Sequence, residues 1–244
     1  MTSICKLRRF IYKWPKLTVL SKRNYSTVNY QNNYSVDNSK FKYQLNQYKY
    51  HNENIYTIDN FLNDIECKDL LSQSHKMNFE EATVDMKLKR NDKDDLDSNT
   101  TQLRKDIRNN ERIIFENKPL AHQLYQRLQL FNLPIESVNN NLFLNSLNDR
   151  FKIYKYSVGQ QFKLHRDGIF INTNNNEESR YTILIYLNQN FKGGETQFVI
   201  ENKKIIITPK LGSALIFYHN LKHAGLPVIE GNKYALRSDV MYKK

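Results

Sequence analysis

His165 and Asp167 stand two residues apart in Tyr156-Ser-Val-Gly-Gln-Gln-Phe-Lys-Leu-His-Arg-Asp-Gly168, and His223 follows a later apolar run, Ala214-Leu-Ile-Phe-Tyr218. Side chains on a strand alternate between its faces, so an imidazole and a carboxylate at this spacing can reach one ion, and a second imidazole on a partner strand would complete the set. Two histidines and one carboxylate on one side of an octahedral metal leave its other positions open, the arrangement that selects ferrous iron and oxygen chemistry. A His-x-Asp tripeptide also arises often by chance, so its surroundings decide its weight. His219 lies four residues before His223. On a strand that spacing also means one face, so spacing alone does not exclude it; it is assigned a supporting place because His165, Asp167 and His223 already complete the set.

Between the two halves of this constellation run Tyr181-Thr-Ile-Leu-Ile-Tyr-Leu-Asn188, Phe191-Lys-Gly-Gly-Glu-Thr-Gln-Phe198 and Thr208-Pro-Lys-Leu-Gly-Ser-Ala-Leu-Ile-Phe-Tyr218. Short β-branched and aromatic runs punctuated by Gly, Pro and Asn predict a compact antiparallel β architecture.

Residues 150–242 resemble the iron and 2-oxoglutarate dependent dioxygenases, most closely their prolyl 4-hydroxylase-like branch. The matching pieces are Tyr156-x-x-Gly159 before His165-x-Asp167, the Tyr186-Leu-Asn188 strand end, Gly193-Gly-Glu-Thr196-x-Phe198, Pro209-x-x-Gly212, and His223-x-Gly225-x-x-Val228-x-x-Gly231-x-Lys233-Tyr234. Each piece is weak alone; their order and spacing together are specific. The resemblance implies an α+β, mainly β fold: a double-stranded β-helix, a cupin-like jelly roll of two packed sheets, with supporting N-terminal helices. It also implies Fe(II) held by His165, Asp167 and His223, with 2-oxoglutarate and dioxygen as co-substrates and ascorbate as a candidate auxiliary reductant. Lys233 falls where that branch places the cation for the distal carboxylate of 2-oxoglutarate. Arg237, four residues on and on the same face of a strand, competes for that place because a guanidinium grips a carboxylate through two hydrogen bonds. Its alternative position is nearer the iron or the substrate. Tyr156, Tyr186 and Thr196 match places where hydroxyl groups meet 2-oxoglutarate, although an inward Tyr in a β-barrel is commonly a core residue with a tethered hydroxyl.

The elements that must support such a barrel precede it. Residues 59–74 predict a helix with Asn63 or Asp64 as N-cap, acidic residues in its first turn, and Ile65, Leu70 and Leu71 as its apolar face. Residues 119–130 predict a second, with Pro119 at its start and Leu120, Leu124, Tyr125 and Leu128 on one side. Residues 50–58 predict a strand. The charged run 86–101 has almost nothing to bury and reads as a mobile loop, either a lid over the substrate or a solvated excursion. Arg108-Asn-Asn-Glu-Arg112 packs two guanidinium groups around an amide pair, suited to a structural or a substrate-facing role.

Residues 1–36 are different material. Seven basic residues, from Lys6 to Arg23, meet no acid before Asp37, and hydroxyl and aromatic residues fill the gaps. This resembles a mitochondrial transit peptide; the alternative is a disordered basic tail for RNA or acidic lipid on a cytoplasmic or nuclear protein. No run approaches the roughly 18 apolar residues that a transmembrane helix requires. Of the net charge of +12, +7 lies in this leader, so the remainder is only mildly basic and nucleic acid is not a partner that charge demands. Cys5 and Cys67 are the two cysteines, and removal of the leader would leave no intrachain disulfide. The expected organisation is a leader over 1–36, a helical support region over 37–140 and the barrel over 141–244, the last two forming one folded unit. The expected substrate is a protein or a small molecule. Three function classes follow: a protein hydroxylase, an oxygenase of nucleobases or small molecules with the same iron site, and a non-catalytic jelly roll.

Overall fold

The computed structural model describes residues 18–19, 45–48, 54–87, 99–102, 104–131, 133, 135, 137–138 and 141–244. Most of the leader and the tip of the charged run, 88–98, therefore lie outside the described residues.

Two sheets face each other. The larger has twelve strands, and its central order is Thr18–Val19, Glu111–Glu116, Arg150–Tyr156, Lys233–Lys243, Glu177–Tyr186, Ala214–Tyr218, Ile55–Ile58 and Leu45–Tyr48. The smaller runs Phe162–His165, Lys222–Gly225, Thr196–Ile200, Lys203–Ile207, antiparallel throughout. This is the double-stranded β-helix that the motifs predict. Alternation along the large sheet sends its side chains to two destinations. Phe151, Ile153, Ile183, Ile185, Leu236 and Val240 join a core shared with both helices, while Tyr154, Tyr156, Thr182, Leu184, Lys233, Ala235 and Arg237 line a cavity that residues of the small sheet close.

Helix α1 spans Asp64–Ser74 and helix α2 spans Lys118–Gln129. Asn63 caps α1 through a reciprocal capping box with Glu66, and Asn117 caps α2 ahead of Pro119. The face of α2 is the predicted one, with Leu120, Leu124 and Leu128 buried. The face of α1 is only partly the predicted one: Leu70 is buried and Leu71 packs against the core, but Ile65 points away. Ile65 is 68% exposed, and the buried positions are Glu66, Cys67, Leu70 and Ser74. The physical reason is a buried ion pair: Arg127 of α2 donates to both oxygens of Glu66 at 2.8 Å and to the Phe61 carbonyl at 2.7 Å. Helix α1 therefore turns a carboxylate inward in the place expected of Ile65, while Leu70 and Leu71 keep theirs.

Breaking a buried pair by removing one partner costs about 3–5 kcal/mol, whereas an exposed pair contributes under about 1 kcal/mol. Arg127→Met is thus expected to lower unfolding stability in urea by several kcal/mol, and Lys68→Ala, which removes the exposed Lys68–Asp64 pair, by a small fraction of that. Equal losses would contradict this account of how the helices dock.

The support region supplies strands as well as helices. Ile55–Ile58 forms within the predicted 50–58 strand, and Glu111–Glu116 pairs with Arg150–Tyr156. The charged run also departs from expectation at its ends, because Val84–Lys87 and Asn99–Gln102 pair as an antiparallel ladder. Cross-strand backbone bonding organises this stretch. Within the leader, Thr18–Val19 pairs with Phe115 and Glu116 at the sheet edge.

Candidate metal centre and adjoining cavity

His165 ends one strand of the small sheet, and His223 is its direct cross-strand partner, so register alone brings the two imidazoles side by side with ring centroids 4.2 Å apart. Each Nδ1 meets a backbone carbonyl two residues earlier, Lys163 O at 2.8 Å and Leu221 O at 3.0 Å, which turns each Nε2 toward the same point. Asp167 lies past the strand end, a departure from the expected in-strand alternation. Its amide donates to the His219 carbonyl at 3.1 Å, and this bond returns the carboxylate to the imidazoles. One ligand atom from each of the three residues lies within 4.8 Å of the others, and theirs is the metal-competent grouping found among the described residues. His219 is outside it, as expected.

Charge in the cluster favours metal ligation. Burial and the neighbouring His223 lower the His165 pKa to about 3, and burial also depresses that of His223. Both imidazoles are therefore neutral near pH 7, the form that coordinates metal. Burial alone would raise Asp167, but Arg237 and the two histidines outweigh it and hold the carboxyl well below its usual range. Arg237 Nη2 lies 3.3 Å from Asp167 Oδ2 and 2.9 Å from Asp239 Oδ1, and the Thr182 hydroxyl donates to the same Asp167 oxygen. His219 Nε2 is 3.6 Å from Asp239 Oδ1. A buried chain of four charged or chargeable groups thus leads away from the cluster.

The cavity continues from the cluster to Lys233, lined on the way by Tyr154, Tyr156, Leu184, Thr196 and Phe217. Lys233 is 3% exposed, and its ammonium lies 5.3 Å from both the Tyr156 and Tyr186 rings and donates to Gly194 O at 2.6 Å. Burial lowers its pKa to about 8, only partly opposed by Glu195. Gly194 has φ +69°, and a Cβ there would sit 3.0 Å from Lys233 Cδ; the Gly193-Gly194 pair makes the turn and leaves room for the lysine stem. A buried ammonium with one carbonyl partner is short of the anion that would offset its desolvation. The donor set fits Fe(II), and this cation fits one end of a dicarboxylate.

Residues 151–238 match the family model of the 2OG-Fe(II) oxygenase superfamily. That segment holds all three residues of the cluster and Lys233, so the barrel of this chain is similar to that superfamily. Among curated relatives, a protein of Acanthamoeba polyphaga mimivirus provisionally named a prolyl 4-hydroxylase is 24% identical over 199 residues, covering 73% of this chain and 70% of its own length. Prolyl 4-hydroxylase 2 of Arabidopsis thaliana is 27% identical over 214 residues, covering 74% of this chain and 64% of its own length. The fold is shared with the Pseudomonas putida prolyl-4-hydroxylase structure (TM-score 0.54, 13% identity, 78% of this chain and 93% of the other). It is shared also with a Trichoplax adhaerens prolyl hydroxylase solved with a hypoxia inducible factor peptide fragment (TM-score 0.53, 19% identity, 77% and 83%).

The fold brings most of the sequence-nominated residues to one place. His165, Asp167, His223, Tyr156, Thr196, Lys233 and Arg237 all line the cavity. Tyr186 is not in its wall; the phenol is 2.9 Å from the Thr196 hydroxyl, so it fixes a lining residue. Arg237 and Lys233 share the inward face but differ in company, Arg237 between two carboxylates and Lys233 beside a carbonyl. Residue type and motif do not single out Tyr154, Phe162, Thr182, Leu184, Phe217 or Asp239. Stepping by two from Tyr156, Tyr186 and Arg237 would have found Tyr154, Thr182, Leu184 and Asp239.

The Arg108-Asn-Asn-Glu-Arg112 element is a buttress for the His165 strand. Arg108 is buried between the Tyr154 and Phe162 rings, 4.5 and 4.4 Å from their centroids, and Phe162 stacks on His165 at 3.5 Å. Asn109 Oδ1 accepts from the Gln161 amide at 2.7 Å, and the Lys163 amide donates to Ile107 O at 2.9 Å. The cationic neighbours have a chemical effect. Burial pushes Tyr154 upward, but Arg108, Lys152 and Arg237 outweigh it and bring the phenol down to about 8.

Proposed function

We propose that this oxygenase hydroxylates a side chain of a protein substrate, prolyl residues first among the candidates, with His165, Asp167 and His223 holding Fe(II) and Lys233 holding the distal carboxylate of 2-oxoglutarate. The observation that carries this reading is one continuous cavity joining a two-histidine, one-carboxylate cluster to a buried lysine that a dicarboxylate would satisfy. Bound iron with dioxygen and 2-oxoglutarate supplies the oxidising power, one oxygen atom entering the substrate C–H bond and the other entering succinate as carbon dioxide leaves. The remaining work belongs to the chain. Neutral imidazoles offer lone pairs without an adjacent positive charge, Lys233 fixes the far end of the co-substrate, and Tyr156 and Thr196 add hydroxyl donors within the wall.

Support for a protein substrate comes from two sides. The curated relatives are named prolyl 4-hydroxylases. Exposed apolar side chains also flank the ligand-bearing segment: Val158 and Leu164 before His165, and Ile169, Phe170 and Ile171 after Asp167. Apolar surface of this kind marks a macromolecular contact. Ascorbate as auxiliary reductant and a mitochondrial address belong to this proposal on the strength of the sequence alone.

The test is capture followed by turnover. An Asp167→Ala variant retains partners that the intact enzyme would release, and treatment of those partners with intact protein, Fe(II) and 2-oxoglutarate is expected to add the mass of one oxygen at a proline. Oxygen incorporation confined to a nucleobase or a free metabolite would move the substrate to that class.

A further inference from the structure

We infer that Arg237, held by Asp239 and seconded by Thr182, is a positioning residue that makes Asp167 a one-oxygen metal ligand. The inference rests on the proposed iron site and concerns how the carboxylate is presented to it. The two oxygens of Asp167 have different company. Oδ2 accepts from the Thr182 hydroxyl and lies 3.3 Å from Arg237 Nη2 and 3.9 Å from His223 Nε2, whereas Oδ1 lies 3.8 Å from His165 Nε2 and pairs with no lysine or arginine among the described residues. An oxygen already engaged by a hydroxyl and a guanidinium has little lone-pair density left for a metal, so Oδ1 is the free donor.

The guanidinium cannot turn away to serve the co-substrate. Nη2 also lies 2.9 Å from Asp239 Oδ1, and the Thr182 oxygen is 3.4 Å from it. Asp239 is itself anchored: its carbonyl accepts from the Asn148 amide at 2.9 Å, its Oδ2 lies 3.4 Å from the Asn148 side-chain nitrogen, and His219 Nε2 approaches its Oδ1 at 3.6 Å. His219 closes the loop, because its carbonyl receives the Asp167 amide. Backbone and side chain of the carboxylate ligand are therefore fixed from one connected set of groups, all outside the cluster that meets the ion. Cross-strand register sustains this, since Asp239 faces Thr182 and Arg237 faces Leu184 on adjacent strands.

The readout is metal affinity, measured apart from turnover. Co(II) serves as an oxygen-stable probe, followed by calorimetry and by its visible absorption, which reports coordination number. The variants are Thr182→Val, which leaves every buried charge paired, and the charge-balanced double variant Arg237→Gln/Asp239→Asn, which removes the pair without stranding Asp239. Each is expected to bind Co(II) about 10–100-fold more weakly, the usual cost of losing a group that orients a ligand, with a changed absorption envelope as the second oxygen becomes free. The dissociation constant for 2-oxoglutarate at saturating metal should move by less than about threefold. Thermal unfolding without metal identifies a variant that fails to fold, and Thr182→Val, which perturbs least, then decides. Unchanged Co(II) affinity and spectrum in folded variants would overturn the positioning role, as would a rise confined to the 2-oxoglutarate constant. Failure of the unaltered protein to bind Co(II) would instead overturn the iron-site reading beneath it.

Discussion

His223→Ala is expected to abolish conversion of 2-oxoglutarate to succinate, and His219→Ala, four residues away, is not. Loss of one of three ligands should reduce turnover by more than about 100-fold, the upper end of what losing a supporting group costs. The His219 side chain meets Asp239 rather than the cluster, and its carbonyl, which receives the Asp167 amide, is kept in the alanine variant, so the loss should stay within that limit and leave metal bound. The assay is anaerobic Fe(II) loading followed by succinate formation, with thermal unfolding as the control for folding. Both imidazoles of the cluster are neutral and carbonyl-tethered without metal, which argues that the alanine variant loses a ligand and keeps its sheet. A His223→Ala protein that turned over normally would dissolve the three-residue assignment.

Lys233→Ala should raise the apparent Michaelis constant for 2-oxoglutarate far more than Arg237→Ala does. Truncating one partner of a buried, charge-assisted contact costs about 2–5 kcal/mol, or roughly 30- to several thousandfold in affinity. Arg237 is already engaged by Asp167 and Asp239, so its loss should appear first in metal binding. The same lysine sets a pH limit. Burial lowers its pKa to about 8, so the cation that receives the carboxylate is present below that pH and lost above it. In consequence kcat/KM for 2-oxoglutarate, which reports the free enzyme, should fall about tenfold per unit above pH 8, while kcat at saturating co-substrate stays level. A profile flat to pH 10, or a larger effect at Arg237, would transfer the carboxylate contact away from Lys233.

The parts of this molecule that depend on residue type and short-range spacing were legible before any coordinates. The His165, Asp167 and His223 grouping and the α2 face follow from residue type and period, and the inward lysine from the resemblance to a known family. The parts that depend on a partner far along the chain were not. Ile65 looks like a core residue until Arg127, 61 residues beyond Glu66, demands a carboxylate in that interface. Spacing does not separate Lys233 from Arg237, because both face inward; their company differs, Asp167 and Asp239 beside Arg237 and the Gly194 carbonyl beside Lys233, and that difference depends on residues distant in sequence. Asp167 illustrates a third kind of miss. Its place follows from a hydrogen bond to the His219 carbonyl beyond the strand end, which no alternation rule encodes.

The strand Lys233–Lys243 lies in the middle of the large sheet, between Arg150–Tyr156 and Glu177–Tyr186, and it is the last described strand to be synthesised. During translation its neighbours must wait with hydrogen-bonding edges open, and a nascent chain halted before residue 233 would expose two such edges at once. Ribosome-bound intermediates of this protein should therefore depend on holding chaperones until the strand Lys233–Lys243 has emerged. Soluble expression should respond sharply to shortening that strand and weakly to shortening the edge strand Leu45–Tyr48.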